Sequence, residues 1–230
     1  MSAATVDSAS GRSPLLVVEN LGRRLQQDWI WQNIQLRLDA GDRLAIMGPS
    51  GVGKSLLLRA IAGLDPIQAG HIHFLGKSLS DWSMPRYRSQ VLYLHQRPAL
   101  WEGSVEANLQ QVFLLHQHRR RGYQRQRILQ YLRLLNRDET FLDRPSSMLS
   151  GGERQITAFL RGLQLDPMIL LLDEPTASLD PESTASLETL VQNWQADNPQ
   201  RAYLWVSHDA EQRQRMTQRA FQLRGVANAK

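Results

Sequence analysis

The stretch Gly48-Pro49-Ser50-Gly51-Val52-Gly53-Lys54-Ser55 decides the fold, because it satisfies the pattern G-x-x-x-x-G-K-[ST]. Glycines let such a backbone turn back on itself, so that several N–H groups point at one anion. The start of a following helix adds favourable potential for that anion. Lys54 is placed to contact the β- and γ-phosphates of a nucleotide, and the Ser55 hydroxyl is placed to bind Mg²⁺. The sequence therefore predicts a loop that binds a nucleoside triphosphate together with Mg²⁺.

The segments on either side of this loop have the patterns that the motif requires. The apolar run from Leu44 to Met47 predicts a buried strand that ends at the loop. The residues from about Lys54 to Ala62 predict a helix, with Leu57, Leu58 and Ile61 on its apolar face. A strand, a glycine-rich loop and a helix in this order are the context in which the motif binds phosphate.

Further short strands are predicted along the chain, and they are of two kinds. Before and after the loop, alternating or short apolar runs predict half-buried strands at Leu15–Val18, Ile34–Leu38 and His71–Phe74. Later in the chain, continuous apolar runs predict parallel strands covered on both faces at Ile169–Leu172 and Ala202–Val206.

The middle of the chain has a helical pattern from about Trp101 to Met148, where Leu129, Leu132 and Leu135 recur at helical spacing and are predicted to be core. The predicted fold class is therefore α/β: a P-loop NTPase core, with a mixed sheet and an antiparallel β subdomain, plus an inserted α-helical lobe at about residues 97–163. Residues 1–14 are small and polar, lack the apolar segment of a secretory signal and are predicted to be a disordered tail.

A second acidic site is predicted where the strand Ile169–Leu172 ends. Asp173 follows that strand directly, and parallel strands present their carboxyl ends at one edge of a sheet, next to the phosphate loop. Asp173 is predicted to hold Mg²⁺, and Glu174 to accept a proton from the attacking water or to orient it.

The stretch Leu149-Ser150-Gly151-Gly152-Glu153-Arg154-Gln155 resembles the LSGGQ signature of ABC ATPases, with Glu153 in place of the first glutamine. A serine and two glycines before a helix form a second anion-binding helix start in the same chain. One ATP does not need two such loops from one molecule. The resemblance therefore implies a dimer of two copies, in which Ser150, Gly151 and Gly152 of one copy contact the ATP held by the other.

Three further motifs resemble the same family, in the same order along the chain. Gln96 resembles the Q-loop glutamine, which links Mg²⁺ and water to the helical lobe. Asp180, at the end of Ala177-Ser178-Leu179-Asp180, resembles the D-loop residue near the nucleotide. His208 resembles the switch histidine that contacts the γ-phosphate. The resemblance covers residues from about Leu15 to Leu223 and implies that residues 15–230 form a single ABC ATPase domain.

Four positions depart from the family pattern or are left open by it. Leu56 follows the loop where threonine is common, and it is still assigned to the nucleotide-binding segment. Leu25 occupies the position of the usual aromatic residue that stacks on adenine, and leucine stacks more weakly. Trp29 is an alternative adenine contact or a core residue. Ile156 stands where arginine is usual after the signature, and is expected to change the surface of the signature helix.

The composition of the chain disfavours several classes of ABC protein. The 230 residues include no cysteine and carry a formal charge of +5, part of which is local to the basic stretch from His116 to Arg127. Repair proteins with cysteine zinc sites, chromosome proteins with long coiled coils and translation factors with two ATPase domains per chain all fit poorly. No run of 18 or more apolar residues is present, so a transmembrane helix is not expected.

A transport subunit is therefore predicted, with a separately encoded integral membrane permease and a second copy of the ATPase as partners and no stable nucleic-acid partner. The expected location is the cytoplasmic face of the cell membrane, with peripheral attachment. Three segments resemble the ATPase subunit of FetA/FetB-type bacterial metal (iron) exporters: Ser13–Leu16, Tyr87–Val91 and Leu204–Asp209. Importer subunits share most of these motifs, so an importer of another small solute stays open, as does a soluble ABC ATPase acting on nucleic acid in repair or translation.

Overall fold

The computed structural model describes residues 14–226, in two β-sheets and seven α-helices with short 3-10 turns. The first half of the chain contains β1 (Pro14–Leu25), β2 (Asp28–Asp39), β3 (Arg43–Met47), α1 (Lys54–Ile61), β4 (Ala69–Phe74), β5 (Lys77–Ser78), α2 (Met84–Arg88) and β6 (Val91–Leu94). The second half contains α3 (Val105–Gln111), α4 (Arg125–Leu134), α5 (Gly151–Leu163), β7 (Ile169–Asp173), α6 (Pro181–Ala196), β8 (Ala202–Val206), α7 (Ala210–Met216) and β9 (Arg219–Gln222). The predicted tail lies outside the described residues apart from Pro14, which begins β1.

The first sheet is antiparallel and has the strand order β2-β1-β4-β5. The alternation that predicted a half-buried strand is confirmed, because Ile34, Leu36 and Leu38 are all buried on one side of β2. β1 and β2 form a long hairpin, which closes where Leu25 pairs with Asp28. This sheet is the predicted antiparallel subdomain.

The second sheet is parallel and has the order β6-β7-β8-β3-β9. Every residue of β7 and β8 is buried, as expected for strands covered on both faces. Because all five strands run in the same direction, their carboxyl ends meet at one edge. The loops after β6, β7, β8 and β3 therefore lie side by side, although their sequence order is β3, β6, β7, β8.

Two apolar clusters cover the two faces of this parallel sheet. One contains residues of the antiparallel sheet and α1, such as Trp31 and Leu57, which are 0% exposed. The other joins Leu132 and Leu160 of the helical region to Trp205 of β8. Burying a leucine side chain of this size contributes about 1.5–3 kcal/mol to folding, so the helices are held to the sheet by a shared core.

The helical region has the content that the sequence predicted. Residues 97–163, all within the described part of the chain, contain α3, α4 and α5 between β6 and β7 and no strand longer than an isolated bridge. Leu132 and Leu135 are buried, and Leu129 packs against the same cluster. Since α5 packs on the sheet itself, the boundaries of a separate lobe stay a prediction. Across residues 14–226, no helix is long and apolar enough to span a bilayer.

Candidate functional site

The phosphate loop lies between β3 and α1, and two of its glycines are required by the backbone and by space. Gly53 has φ 95°, and a Cβ there would meet Ile30 Cγ2 and Trp31 Nε1 at 2.9 Å. Gly48 has φ 152°, and a Cβ there would lie 2.8 Å from the carbonyl oxygen of Leu223. Any other residue at these positions would force the loop away from β2 and the end of β9.

Lys54 begins α1 and turns its side chain back into the loop. Its Nζ donates to the carbonyl oxygens of Gly48 and Pro49, at 2.9 and 3.1 Å. Only 9% of the residue is exposed. The loop therefore holds one cation at its centre, beside backbone N–H groups at a helix start, which is an arrangement suited to phosphate oxygens.

Asp173 is the last residue of β7 and is 4% exposed. Its Oδ2 accepts a hydrogen bond of 2.8 Å from the hydroxyl of Tyr93 on the neighbouring strand β6. Burial, and then this bond to Asp173, raise the pKa of the Tyr93 hydroxyl above its usual range. The hydroxyl therefore stays a donor at physiological pH and fixes the orientation of the carboxylate. Tyr93 is not among the site residues predicted from the sequence, and no pattern there places it beside Asp173.

Glu174 is clamped between two residues that the sequence assigned to the same site. Its Oε2 accepts from Gln96 Nε2 at 2.8 Å, and its Oε1 lies 2.9 Å from His208 Nε2. Its backbone has φ 49°, and its N–H donates to the carbonyl of Val206 at 3.0 Å. A non-glycine residue in this region costs of order 1–3 kcal/mol and is typical of functional sites. The strained backbone and the clamp hold the Glu174 carboxylate at the carboxyl edge of the parallel sheet.

Gln155 of α5, which is 4% exposed, joins the signature segment to the backbone of Glu174. Its Nε2 donates to the backbone carbonyl of Glu174 at 3.0 Å, and its Oε1 accepts from Ser178 N–H at 3.2 Å. A Cβ at Gly152 would lie 2.8 Å from the Ser178 carbonyl oxygen, so the two loops are in close contact. In the sequence, Gln155 is only the last residue of the signature segment, and no pattern there predicts its hydrogen bonds to Glu174 and Ser178.

The start of α5 is closed by a capping box. Ser150 Oγ accepts from Glu153 N–H at 3.2 Å, and Glu153 Oε2 accepts from Ser150 N–H at 2.9 Å. Arg144 forms an ion pair with the same carboxylate. Burial acts to raise the pKa of Glu153, but hydrogen bonds from Ser150 and Arg144 outweigh it and hold the pKa below its usual range. Glutamate therefore replaces the family glutamine without loss of the cap and adds a charge pair.

Asp180 caps the start of α6 in this chain. Its Oδ1 accepts from Ser183 N–H at 2.8 Å, and its Oδ2 accepts from the Ser183 hydroxyl at 2.8 Å. These bonds hold the pKa of Asp180 below its usual range. Both oxygens are engaged by α6, so a contact of Asp180 with nucleotide stays a prediction.

The expectation for Ile156 is wrong. Ile156 is 1% exposed and belongs to the apolar cluster between α5 and the parallel sheet, so it does not alter the surface of the signature helix. Leu56 likewise packs against the core beneath α1.

The structure offers two candidates for the contact with adenine, Leu25 and Trp29. Leu25 is 62% exposed at the end of the β1–β2 hairpin. Trp29 is half-buried, and the guanidinium of Arg24 lies 4.0 Å from its ring centroid. The Trp29 ring also lies against Gly22. Of the two tryptophans in β2, Trp31 is the core residue, and an adenine contact by Trp29 or Leu25 stays a prediction.

The donor set for Mg²⁺ fits a metal that is held partly by phosphate. Within residues 14–226, no group of three or more histidines and carboxylates forms a metal cage. Within residues 14–226, the side chain of Asp173 accepts its hydrogen bond through Oδ2 only. One carboxylate and a serine hydroxyl at the edge of a phosphate loop are the protein ligands that Mg²⁺ takes when nucleotide and water supply the rest.

Comparison with known proteins agrees with this geometry. The sequence profile of the ABC transporter family matches residues 31–177. Over 200 residues the chain is 34% identical to the probable iron export ATP-binding protein FetA of Escherichia coli (strain K12), with 87% of each protein covered. Over 195 residues it is 30% identical to the Fe(3+) ions import ATP-binding protein FbpC of Fusobacterium nucleatum, with 85% of this chain and 52% of that longer protein covered.

Among solved structures, cbiO1 from Clostridium perfringens, part of the ABC transporter complex cbiONQ, superposes with a TM-score of 0.76 at 25% identity. The alignment covers 93% of this chain and 87% of that one. The predicted P-loop fold is thereby confirmed, with its antiparallel and parallel strands in two separate sheets. The chain belongs to the ABC transporter family, as an ATP-binding subunit that hydrolyses ATP.

Proposed function

We propose that Glu174 activates the water that attacks ATP, and that this hydrolysis drives a separately encoded membrane permease. The observation that carries the proposal is the position of the Glu174 carboxylate between Gln96 and His208, on a strained backbone. A carboxylate held by two hydrogen-bonding groups is oriented before the substrate arrives, which is what a general base requires.

The other site residues take roles that follow from their positions. Lys54 and the amides of the loop bind the phosphates, and Ser55 and Asp173 bind Mg²⁺ with Gln96 as a further, polar ligand. His208, which is exposed and contacts Glu174 from the loop after β8, contacts the γ-phosphate. Mg²⁺, when bound, neutralises the charge that develops on the phosphates.

We assign a second copy of this chain as the partner that completes the site. Ser150, Gly151 and Gly152 lie at the start of α5, and the hydrogen bonds of the Ser150 hydroxyl and N–H are made within its own capping box. A helix start of this kind can bind the phosphates of a nucleotide that another copy holds. The two copies then enclose two MgATP between them and separate after hydrolysis.

A groove beside Gln96 is suited to a permease segment. It has a volume of about 530 Å³ and is lined largely by apolar side chains, Trp101 and Phe159 among them. Trp101 is 45% exposed, and the guanidinium of Arg161 lies 4.6 Å from its ring centroid. Because His95 and Arg97 also line the groove, a segment seated there would contact both neighbours of Gln96 and so sense closure at Glu174.

The transported substrate and direction are proposed from similarity alone. The resemblance to an iron export ATP-binding protein supports a metal, specifically iron, exporter at the cytoplasmic face of the membrane. The importer relative keeps solute import as the second candidate. Transport assays with a co-expressed permease and iron would separate the two, since export lowers and import raises the iron held by the cell.

The catalytic assignment is tested with Glu174→Gln. The amide keeps the side-chain shape but does not accept a proton, so the rate of ATP hydrolysis falls by about 100-fold or more while the affinity for ATP is retained. Size-exclusion chromatography with ATP should then show an accumulated dimer. Glu102→Gln, at an exposed glutamate of the helical region, is the matched control and should hydrolyse ATP at the wild-type rate. Wild-type turnover by Glu174→Gln would reject the assignment.

A further inference from the structure

An exposed turn after α3, residues 114–121, presents leucines beside arginines. Leu114 is 80% exposed and Leu115 is 57% exposed. The N–H groups of His118 and Arg119 both donate to the carbonyl of Leu115, at 2.8 and 3.0 Å. This tight turn brings the leucines and the first arginines together on one small surface.

The 114–121 turn is anchored from inside, so its exposed side chains are not needed to hold its shape. His118 is 6% exposed, and burial, with the nearby charge of Arg121, lowers the pKa of its ring. The neutral ring is accommodated under the turn. Arg121 donates to the carbonyl of Leu165, which ties the end of the turn to the segment after α5.

The charge around the turn is strongly one-sided. Residues 107–137 include seven arginines and no aspartate or glutamate. Arg125 pairs with Glu106 and Glu139, and Arg127 pairs with Asp166. Arg119 and Arg120, in contrast with Arg125 and Arg127, form no ion pair within residues 14–226. The turn therefore carries uncompensated positive charge next to exposed apolar groups.

A polar hollow of about 370 Å³ adjoins the turn. Three arginines, Arg120, Arg121 and Arg127, line it. Its one lining carboxylate is Asp166, which is already shared by Arg127 and Arg201. A hollow with three cations and one paired carboxylate favours an anion such as a phosphate group.

We infer that the 114–121 turn binds the anionic lipid surface of the membrane. Leu114 and Leu115 enter the boundary between headgroups and acyl chains, and Arg119 and Arg120 contact the lipid phosphates. Apolar side chains beside cations are the combination that binds such an interface.

The same features disfavour two other occupants. Nucleic acid would use the arginines but would leave the two leucines in water. A second copy of the chain, meeting this one turn against turn, would bring the two arginine clusters together and repel. A lipid surface would bury the two leucines and also attract the positive charge of the arginines.

The location of the turn agrees with binding to a lipid surface. This argument rests on the proposed function, because it uses the groove assigned to the permease. Val112 lines the groove assigned to the permease and lies two residues before Leu114. The turn therefore borders the side of the molecule that faces the permease, where lipid headgroups would be within reach. It would provide a second attachment, alongside the permease itself.

The experiment measures binding of the purified chain to vesicles by co-sedimentation. Wild type should bind vesicles of phosphatidylcholine with phosphatidylglycerol, and bind pure phosphatidylcholine far more weakly. Since each basic residue near an anionic surface contributes about fivefold in affinity, Arg119→Gln/Arg120→Gln should weaken binding about 25-fold. Leu114→Ser/Leu115→Ser should weaken it about tenfold or more.

A matched control removes one leucine and one cation elsewhere. Leu75→Ser/Lys77→Gln changes exposed residues of the antiparallel sheet and should bind vesicles as wild type does. All these variants should hydrolyse ATP at the wild-type rate without vesicles, which separates a failure of this inference from a failure of the proposed function.

Three results would overturn the inference. Equal binding of wild type and both turn variants to anionic vesicles is the first. The second is loss of duplex DNA or RNA binding in the arginine variant with vesicle binding intact, which would assign the turn to nucleic acid. The third is a change in the mass of the protein in solution caused by the leucine variant alone, which would assign the turn to self-association.

Discussion

At the scale of single residues, two of the groups that hold the acidic residues in place are side chains for which the sequence predicted no such role. Asp173 is oriented by Tyr93, and the carbonyl of Glu174 is held by Gln155. Both neighbours are neutral donors, so they orient the acidic residues without adding charge to a site that must bind a nucleotide anion and Mg²⁺.

Tyr93→Phe tests the first of these contacts. A hydrogen bond to a charged group contributes about 1.5–3 kcal/mol, and its loss frees the Asp173 carboxylate to rotate. We expect the Mg²⁺ concentration for half-maximal ATP hydrolysis to rise about tenfold, with a smaller change in the maximal rate. A Mg²⁺ titration of the ATPase rate provides the measurement.

The control for this experiment is Tyr123→Phe. The Tyr123 hydroxyl also donates to a carboxylate, Glu106, at 3.2 Å, but in the helical region. This variant should leave the Mg²⁺ dependence unchanged. An unchanged Mg²⁺ dependence in Tyr93→Phe as well would show that Asp173 keeps its position without the tyrosine.

At the scale of elements, α5 illustrates what could be predicted from the sequence. The serine and two glycines of the signature predicted where the helix begins, and the structure adds that Ser150 and Glu153 form a capping box there. The buried face of α5 is harder to predict, because the arginine usual in the family at the position of Ile156 indicates a surface residue. The burial of Ile156 depends on how α5 crosses the parallel sheet, which no local pattern encodes.

Glu153→Ala tests the capping box. The variant removes the bond to Ser150 N–H and the ion pair with Arg144, and we expect the free energy of unfolding to fall by about 1 kcal/mol. Glu153→Gln keeps a cap but not the charge pair, so it should lose less. Urea denaturation at neutral pH measures both changes.

The charge contribution of Glu153 should also depend on pH. Its pKa is lowered in the folded chain, so the stabilisation is complete above the unfolded value of about 4.3 and declines as the pH falls through it toward the folded value. The difference between wild type and Glu153→Gln should therefore stay constant between about pH 7 and pH 5 and shrink as the pH falls below about 4.3. A difference that grows toward acid would contradict the lowered pKa.

At the scale of the whole molecule, the order β6-β7-β8-β3-β9 brings together loops that are far apart in the sequence. Glu174 and His208 could be predicted because each follows a predicted apolar strand, and Gln96 because it resembles the Q-loop glutamine. Tyr93 and Gln155 could not, because their roles depend on which strand or loop becomes their neighbour. That information lies in the packing of the two apolar clusters, and it is distributed over the whole chain.

The side chain of Gln155 joins α5 to the loop that carries Glu174, so a change at this one residue should affect both the packing of the fold and the catalytic site. Gln155→Leu leaves the Glu174 carbonyl and the Ser178 N–H without their partner, and each buried unpaired group costs about 1–3 kcal/mol. We expect lower stability, and a rate of ATP hydrolysis per folded molecule that falls more than the affinity for ATP. Turnover and nucleotide titration on the same preparation measure the two quantities.

Gln195→Leu separates this effect from simple destabilisation. Gln195 is 5% exposed, and its Nε2 donates to the carbonyl of Gly41 at 3.0 Å, on β-strand connections that lie outside the proposed catalytic residues. Its loss should lower stability to a similar extent and leave turnover per folded molecule unchanged. If the two variants reduce turnover equally, Gln155 acts only through stability. If Gln155→Leu alone reduces it, movement of the signature helix is transmitted directly to the backbone of Glu174.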